Sequence, residues 1–144
     1  MVAISFSVMK DKLLSGEKTH TIRKLNINRL HQMAKLKKLQ IYWKLRTKET
    51  EKLFDAEFVG ATIFNLDSNG YPWAWVGDDT YPFACNNVSP VDADLIKFPI
   101  NYATSLALED GFDSIEDMQK WFVSKYNDRV SGDYMGIRFR KITT

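Results

Sequence analysis

The chain has 144 residues, of which 44% are hydrophobic and 26% charged, so it is the right size for one globular domain with one hydrophobic core. Its single cysteine, Cys85, excludes an intrachain disulfide framework and a cysteine-based metal cluster. The net charge of +2 conceals an asymmetry, because residues 10–52 carry a net +9 and residues 53–144 a net −7. A basic half of this kind is consistent with a surface that meets a phosphate backbone, and the alternative is solvated helix faces and ion pairs between the two halves.

The first residues and the hydropathy pattern predict where in the cell the protein is located. Residues 1–8 are apolar, but they lack the basic region and the longer apolar core of a signal peptide. No stretch approaches the roughly 18 apolar residues of a membrane span. We therefore expect a soluble cytoplasmic protein that does not associate with membranes.

The first half of the chain predicts strands separated by two helices. Residues 3–8 alternate and predict a strand, and residues 9–15 predict a short helix that ends at Gly16 in a left-handed cap. The elements expected next are an extended segment over 17–23, a basic amphipathic helix over 28–38, a strand over 39–46, a charged turn over 47–52, and a long strand over 54–66 with a bend at Gly60.

The second half predicts a loop, two helices and a closing strand. Residues 67–87 contain an Asn69-Gly70 turn signal and predict a hairpin or ordered loop. A helix over 101–109 ends before Gly111, and the clearest helix begins after Ser114, with Asp117 completing a variant capping box. A strand over 134–142 closes the chain. Together these elements predict one α+β domain over residues 1–144, a curled and mostly antiparallel sheet packed by a few helices.

Three stretches carry a family resemblance. Residues 14–23, which include Gly16, Lys18, Thr21 and Arg23, resemble the G-x-K-x-x-T-x-R signature of ASCH domains. Residues 42–49 resemble a second block of archaeal-type members, and residues 107–122 resemble the family's "DGF…M…WF" block. The resemblance implies a PUA-like β-barrel with peripheral helices, a fold associated with RNA binding. Some members remove the acetyl group from 4-acetylcytidine, and ribonuclease activity is described for another.

The first motif suggests a small polar pocket. Gly16 permits a tight reversal that places Lys18, Thr21 and Arg23 beside the barrel mouth. Thr21 and Arg23 share a face of an extended chain, so a bulge or the turn must rotate Lys18 inward. Lys18 and Arg23 are candidates to bind a phosphate or an oxyanion, and a lysine with a lowered pKa would activate the Thr21 hydroxyl.

The resemblance also implies a carboxylate from the DGF block, which is a glutamate in the amidohydrolase branch. Asp110 aligns with that position and Glu109 is adjacent, so both are candidate catalytic residues beside Lys18 and Thr21. Each residue also has a structural interpretation: Thr21 as a strand former, Lys18 as a surface lysine, and Arg23 as the partner of Glu109 or Asp110.

The two histidines do not suggest a metal site. His20 alternates with Thr21 and is expected to point away from the pocket, and His31 lies on the basic helix. Neither is near an acidic cluster in sequence, so no metal and no cofactor are expected.

Aromatic and basic residues alternate elsewhere in a way that suggests RNA binding. Single-stranded RNA readers stack unpaired bases on aromatic rings and hold the backbone with Lys and Arg. Core filling is the alternative interpretation, and it is the one favoured for Trp43 and Trp121. The candidate ligand-binding residues besides Gly16 and Arg23 are Lys24, Tyr42, Lys44, Arg46, Trp73 and Trp75.

Three functional hypotheses follow. The first is an RNA-binding or nucleoside-recognising module, with single-stranded RNA or a modified nucleoside as partner and a basic rim around a small polar pocket. The second is a hydrolase acting on RNA or a modified nucleoside through Lys18, Thr21 and an acid at 109–110. The third is a regulatory domain that senses a nucleotide-like ligand. The sequence leaves the oligomeric state open.

Overall fold

The computed structural model describes residues 2–75 and 95–142, apart from the side chain of Trp75. The strands are β1 (Val2–Phe6), β2 (His20–Lys24), β3 (Lys38–Trp43), β4 (Glu51–Leu66), β5 (Pro72–Trp75), β6 (Leu95–Lys97) and β7 (Gly132–Lys141). The α-helices are α1 (Lys10–Ser15), α2 (Ile27–Leu36), α3 (Ile100–Glu109) and α4 (Ile115–Tyr126), with a 3₁₀ turn at Asn127–Arg129. The predicted α+β class is confirmed.

One mixed sheet curls into a half-barrel. Its strands follow the order β1-β3-β4-β7-β2, and β5 and β6 extend from the far end of β4. β1 and β3 run parallel, and the other pairs are antiparallel. Among the described strands, β1 and β2 are therefore the edges of the half-barrel, and β2 contains Thr21 and Arg23 of the first motif.

The long strand β4 produces much of the curl. Its first part pairs with β3 and its second part with β7, so the strand passes from one side of the half-barrel to the other. The register with β7 shifts between Phe58 and Gly60, where the sequence predicts a bend. A bulge of this kind bends the strand and increases its local twist.

Two apolar clusters pack on opposite faces of β7. Met135, Ile137 and Phe139 belong to the cluster inside the half-barrel, whereas Tyr134 belongs to the cluster formed with α3 and α4. Antiparallel neighbours share a face, and Thr21 and Arg23 pair with Ile137 and Met135. Thr21 and Arg23 therefore lie on the inner face of β2. His20 and Ile22 face the two helices.

Arginine side chains cap the open edge of β1. The Phe6 carbonyl accepts from Lys44 N on the β3 side, so the carbonyls of Ala3 and Ser5 point the other way. Arg29 Nη2 donates to the Ala3 carbonyl, and Arg23 Nη2 donates to the Ser5 carbonyl at 2.6 Å. Two guanidinium groups thus satisfy edge carbonyls that would otherwise lack a protein partner.

Several element bounds differ from those expected. The extended segment becomes a strand only at His20, and the basic helix ends at Leu36, because Lys37 takes a left-handed conformation and Lys38 begins β3. β3 stops at Trp43 because Lys44 and Arg46 adopt positive φ angles of 47° and 68°. Much of the predicted 67–87 loop, including Cys85, lies outside the described residues. None of the helices in the described part of the chain has the length and apolar composition needed to cross a bilayer.

Candidate functional site

The turn after α1 brings Lys18 into the protein interior. Gly16 takes a left-handed φ of 86° and donates to the Leu13 carbonyl, as predicted for a C-cap. The backbone N–H of Lys18 then donates to the Lys12 carbonyl at 3.0 Å, before β2 begins. Because Lys18 precedes the strand, the alternation of β2 does not apply to it. Its side chain is 4% exposed, which rules out the surface-lysine interpretation.

Asp110 approaches Lys18 from the end of α3. Ala103, Leu106 and Ala107 form the buried face of this helix, and Asp110 follows at the spacing that continues the face. Asp110 is 6% exposed. Lys18 Nζ donates to its backbone carbonyl and lies 3.4 Å from its carboxylate Oδ1.

Glu109, the other candidate acid, lies outside the cavity. It is exposed, and its carboxylate accepts from Arg138 Nη2 at 3.1 Å. Of the two acids between which the sequence does not choose, the structure therefore places Asp110 at the cavity and Glu109 outside it, because the buried face of α3 continues to position 110.

His20 contacts Asp110 from the helix-facing side of β2. Its Nδ1 lies 3.2 Å from Asp110 Oδ1, and the side chain is 1% exposed. The ring packs against Gly136, where a Cβ atom would lie 2.6 Å from Nε2. His20 does not line the cavity, but its contact with the pocket acid is missed by sequence reasoning, because the contact joins residues 90 positions apart.

Thr21 and Arg23 contact each other on the inner face of β2. Arg23 Nε donates to Thr21 Oγ1 at 3.0 Å, and the guanidinium lies 5.0 Å from the centroid of the Phe6 ring. Within the described ranges no carboxylate lies within ion-pair distance of Arg23, so the expected pairing with Glu109 or Asp110 is not formed.

These side chains line a narrow cavity of about 60 Å³. Its polar lining consists of Ser5, Ser7, Lys18, Thr21, Arg23, Asp110 and Lys125, and its walls include Phe6, Phe112 and Trp121. Trp121 is half-buried at this cavity, where the sequence predicts a core residue. Lys125 is a lining residue that sequence reasoning missed, because it lies on the exposed side of an ordinary amphipathic helix.

A broad basic groove adjoins the cavity. The groove has a volume of about 630 Å³ and shares Ser5 and Arg23 with the cavity. Its cationic lining residues are Arg23, Lys24, Arg29 and Arg46, and no carboxylate is among the described residues that line it. Arg29 and Gln32 of α2 and its N-cap Asn26 line the groove, whereas the lysines at positions 35, 37 and 38 do not.

The cavity is electrostatically positive. Burial lowers the pKa of Lys18, and the attraction and hydrogen bond of Asp110 only partly oppose this effect. Burial also lowers the pKa of Lys125, and the charge of Arg23 lowers it further. Three cationic side chains therefore face one carboxylate, and that carboxylate is already in contact with Lys18 and His20.

Three other predicted ligand-binding residues, Tyr42, Lys44 and Trp73, line neither the cavity nor the groove. Tyr42 is half-buried in β3, and Lys44 pairs with Glu49 at 2.6 Å. The indole N–H of Trp73 donates to Asp67 Oδ2 at 2.8 Å. The side chain of Trp75 lies outside the described residues. Of the six additional candidates, the structure brings Lys24 and Arg46 to the groove.

Among the described residues, no three His, Cys, Asp or Glu side chains are arranged to hold a metal ion. Comparison of the chain with protein-family models, with curated proteins and with solved structures gave no match.

Proposed function

We propose that this chain is an RNA-binding or nucleoside-recognising domain of the ASCH type, with a basic rim and a small polar pocket. The observation that carries the proposal is the continuity between the buried Lys18–Asp110 cavity and the basic groove through Arg23 and Ser5. A ligand that occupies both spaces needs negative charge in the part that lies in the groove and a small polar group in the part that enters the cavity. A nucleotide within RNA has both features.

The groove supports the nucleic-acid part of this proposal. Its volume of about 630 Å³ lies in the usual range for ligand sites, and four cations line it without a carboxylate among the described residues. Such a surface attracts a phosphate backbone independently of sequence. Single-stranded RNA fits better than a duplex, because an unpaired base is free to turn its edge toward the adjoining cavity.

The cavity supports recognition of a base edge or a substituent, not of a whole base. Its volume of about 60 Å³ is less than half of the roughly 150 Å³ that accommodates a benzene ring. Lys18 offers a donor, Thr21 offers a donor or an acceptor, and the Asp110 carboxylate accepts. This mixture matches the donors and acceptors on the Watson–Crick edge of a nucleobase.

The resemblance to ASCH domains adds independent support. Three residues of the G-x-K-x-x-T-x-R motif, Lys18, Thr21 and Arg23, line the same cavity as the acid of the DGF block. A half-barrel of mixed strands is compatible with a PUA-like fold, and we propose that affiliation on the basis of the motif.

A hydrolase is the second candidate function, and the lowered pKa of Lys18 favours it. In this reaction the neutral amine of Lys18 takes the proton of the Thr21 hydroxyl as Thr21 Oγ1 attacks an N-acetyl carbonyl carbon. The C–N bond breaks, the departing nitrogen takes the proton from Lys18, and water hydrolyses the threonine ester to release acetate. Arg23 would stabilise the oxyanion. Cleavage of RNA by the same groups is the other form of this hypothesis.

One experiment separates the two functions. The purified chain is incubated with 4-acetylcytidine and with a mixed single-stranded RNA, and deacetylation, chain cleavage and RNA retention are followed at low and high salt. Lys18→Met removes the amine while keeping the aliphatic stem, and Lys120→Met on exposed α4 surface is the matched control.

The binding function predicts salt-sensitive retention of RNA without product. The hydrolase predicts product with the wild type and with Lys120→Met, and none with Lys18→Met. Absence of both retention and product would contradict the two functions together.

A further inference from the structure

Two cations at the cavity form no ion pair with any carboxylate in the described part of the chain. Lys125 and Arg23 line the same cavity from α4 and β2, and Asp110 is the one carboxylate among its described lining residues. Asp110 Oδ1 is already shared by Lys18 at 3.4 Å and His20 at 3.2 Å. Neither Arg23 nor Lys125 forms an ion pair with this acid, and the attraction of Asp110 only partly opposes the effect of burial, which lowers the pKa of Arg23.

The contacts of Arg23 leave hydrogen-bond capacity for a ligand. Its Nε and Nη2 donate to Thr21 Oγ1 and to the Ser5 carbonyl, which are both neutral acceptors. A guanidinium has five N–H groups, so these two bonds hold the side chain in place without using its remaining donors. Arg23 is thus fixed in position at the junction of the cavity and the groove.

Lys125 is held beside Arg23 by aromatic rings. Its ammonium lies 4.6 Å from the ring centroid of Trp121 and 5.5 Å from that of Tyr126. Within the described ranges, no carboxylate lies at ion-pair distance from it. Burial is the largest cause of the lowered pKa of Lys125, and repulsion by the charge of Arg23, which lines the same cavity, lowers it further. Bringing two like charges together at a cavity mouth is unfavourable unless an anion is bound between them.

We propose that Arg23 and Lys125 form a subsite for the phosphate group of a nucleotide, so that the cavity prefers nucleotides to nucleosides. This inference rests on the proposed function for the identity of the base-bearing ligand, but not for the phosphate subsite itself. The bidentate fork of Arg23 suits phosphate oxygens, and Lys125 adds a second charge from the opposite side. The phosphate would sit where the groove meets the cavity, with the base edge directed toward Lys18 and Asp110.

The phosphate has two possible sources, a free mononucleotide or a phosphodiester within RNA, and separate titrations distinguish them. Calorimetric titrations of the full chain use inorganic phosphate, cytidine, cytidine 5′-monophosphate and a short oligocytidylate without terminal phosphates. Lys125→Met keeps the stem over Trp121 but removes the charge. Lys120→Met, which changes an exposed lysine of the same helix outside the cavity, is the matched control.

We expect cytidine 5′-monophosphate or the oligonucleotide to bind at least about tenfold more tightly than cytidine, the effect of one charge-assisted hydrogen bond. That advantage should disappear in Lys125→Met and persist in Lys120→Met. The stronger of the two phosphate-bearing ligands identifies the source.

The outcomes separate failure of the subsite from failure of the proposed function. If inorganic phosphate binds in a Lys125-dependent manner while no nucleoside or nucleotide binds more tightly than phosphate alone, the subsite stands and the nucleotide function fails. Equal affinity for cytidine and its monophosphate, an advantage that survives Lys125→Met, or no binding of any phosphate-bearing probe would overturn the subsite.

Discussion

His20 Nδ1 lies 3.2 Å from Asp110 Oδ1, the same carboxylate oxygen that lies 3.4 Å from Lys18 Nζ. A carboxylate only accepts, so the ring hydrogen of this contact is on Nδ1. The other ring nitrogen, Nε2, is buried and has no hydrogen-bond partner among the described residues. A buried polar atom without a partner is costly, so the contact with Asp110 is retained at some expense of stability. His20 therefore holds the pocket acid in the orientation in which it meets Lys18.

The first prediction concerns the close packing behind His20. In Gly136→Ala the new Cβ would lie 2.6 Å from His20 Nε2 and 3.2 Å from a Phe64 ring carbon, closer than van der Waals contact permits. Overpacking of this kind typically costs about 1–3 kcal/mol, so the free energy of unfolding should fall by that amount in urea titrations. The control is Gly60→Ala, because a Cβ at Gly60 meets nothing within 4 Å. Equal losses in the two variants would contradict the packing argument.

The second prediction distinguishes the two adjacent acids. Asp110→Asn removes the carboxylate that Lys18 and His20 share, and we expect affinity for a nucleoside ligand, or deacetylation if it occurs, to fall about tenfold or more. Glu109→Gln removes only an exposed ion pair with Arg138, so it should change neither measurement by more than about twofold. Calorimetry or chromatography on the two purified variants checks this difference. A larger loss from Glu109→Gln would place the functional acid outside the cavity.

The third prediction follows from the lowered pKa of Lys18. Burial is the largest cause, so between this lowered value and the ordinary value near 10.4 the unfolded chain binds more protons than the folded one. The stability contribution of Lys18 therefore rises as pH increases through that window. Lys18→Met has no such group, so the free energy of unfolding of the wild type should increase relative to that of the variant as pH rises through that window. Denaturant titrations at several pH values measure the difference. Parallel pH profiles for the two proteins would contradict the inference that burial destabilises the charged form of the Lys18 amine.

Local signals in the sequence predict much of the fold. Gly16 takes the left-handed cap expected of it, and the Ser114 side chain accepts from Asp117 N at 3.1 Å at the start of α4. The bend at Gly60 is confirmed as a register shift. Each of these features depends on residues a few positions apart, and such short-range preferences are readable from one sequence.

The parts of the site that sequence reasoning missed depend on long-range packing. Lys125 reaches the cavity only because α4 packs beside β2. Arg29 reaches the groove because α2 lies along the open edge of β1, whose carbonyl it binds. The alternation of side chains along β2 predicts which of them share a face, but it does not predict that His20 contacts Asp110. Strand pairing and helix docking decide these contacts, and neither is encoded in local periodicity.

The fourth prediction identifies which basic residues contact RNA. Arg29 and Arg46 line the groove, whereas Lys35 and Lys38 do not, although all four are exposed cations of the basic half. Changing Arg29 and Arg46 to Gln removes two charges, and changing Lys35 and Lys38 to Gln removes the same number elsewhere. For single strands the logarithm of affinity falls with the logarithm of salt by about 0.7 per phosphate contact. The groove variant should therefore reduce the slope by about 1.4, and the lysine variant should leave it nearly unchanged.

Fluorescence polarisation of a labelled single-stranded RNA across a KCl series measures both slopes. Urea titration of the arginine variant is needed alongside, because Arg29 also donates to the Ala3 carbonyl. Arg46→Gln alone, which leaves that edge bond intact, should reduce the slope by about 0.7. If the lysine variant lowers the slope as much as the arginine variant does, RNA binding depends on overall charge and the groove is not the RNA-binding surface.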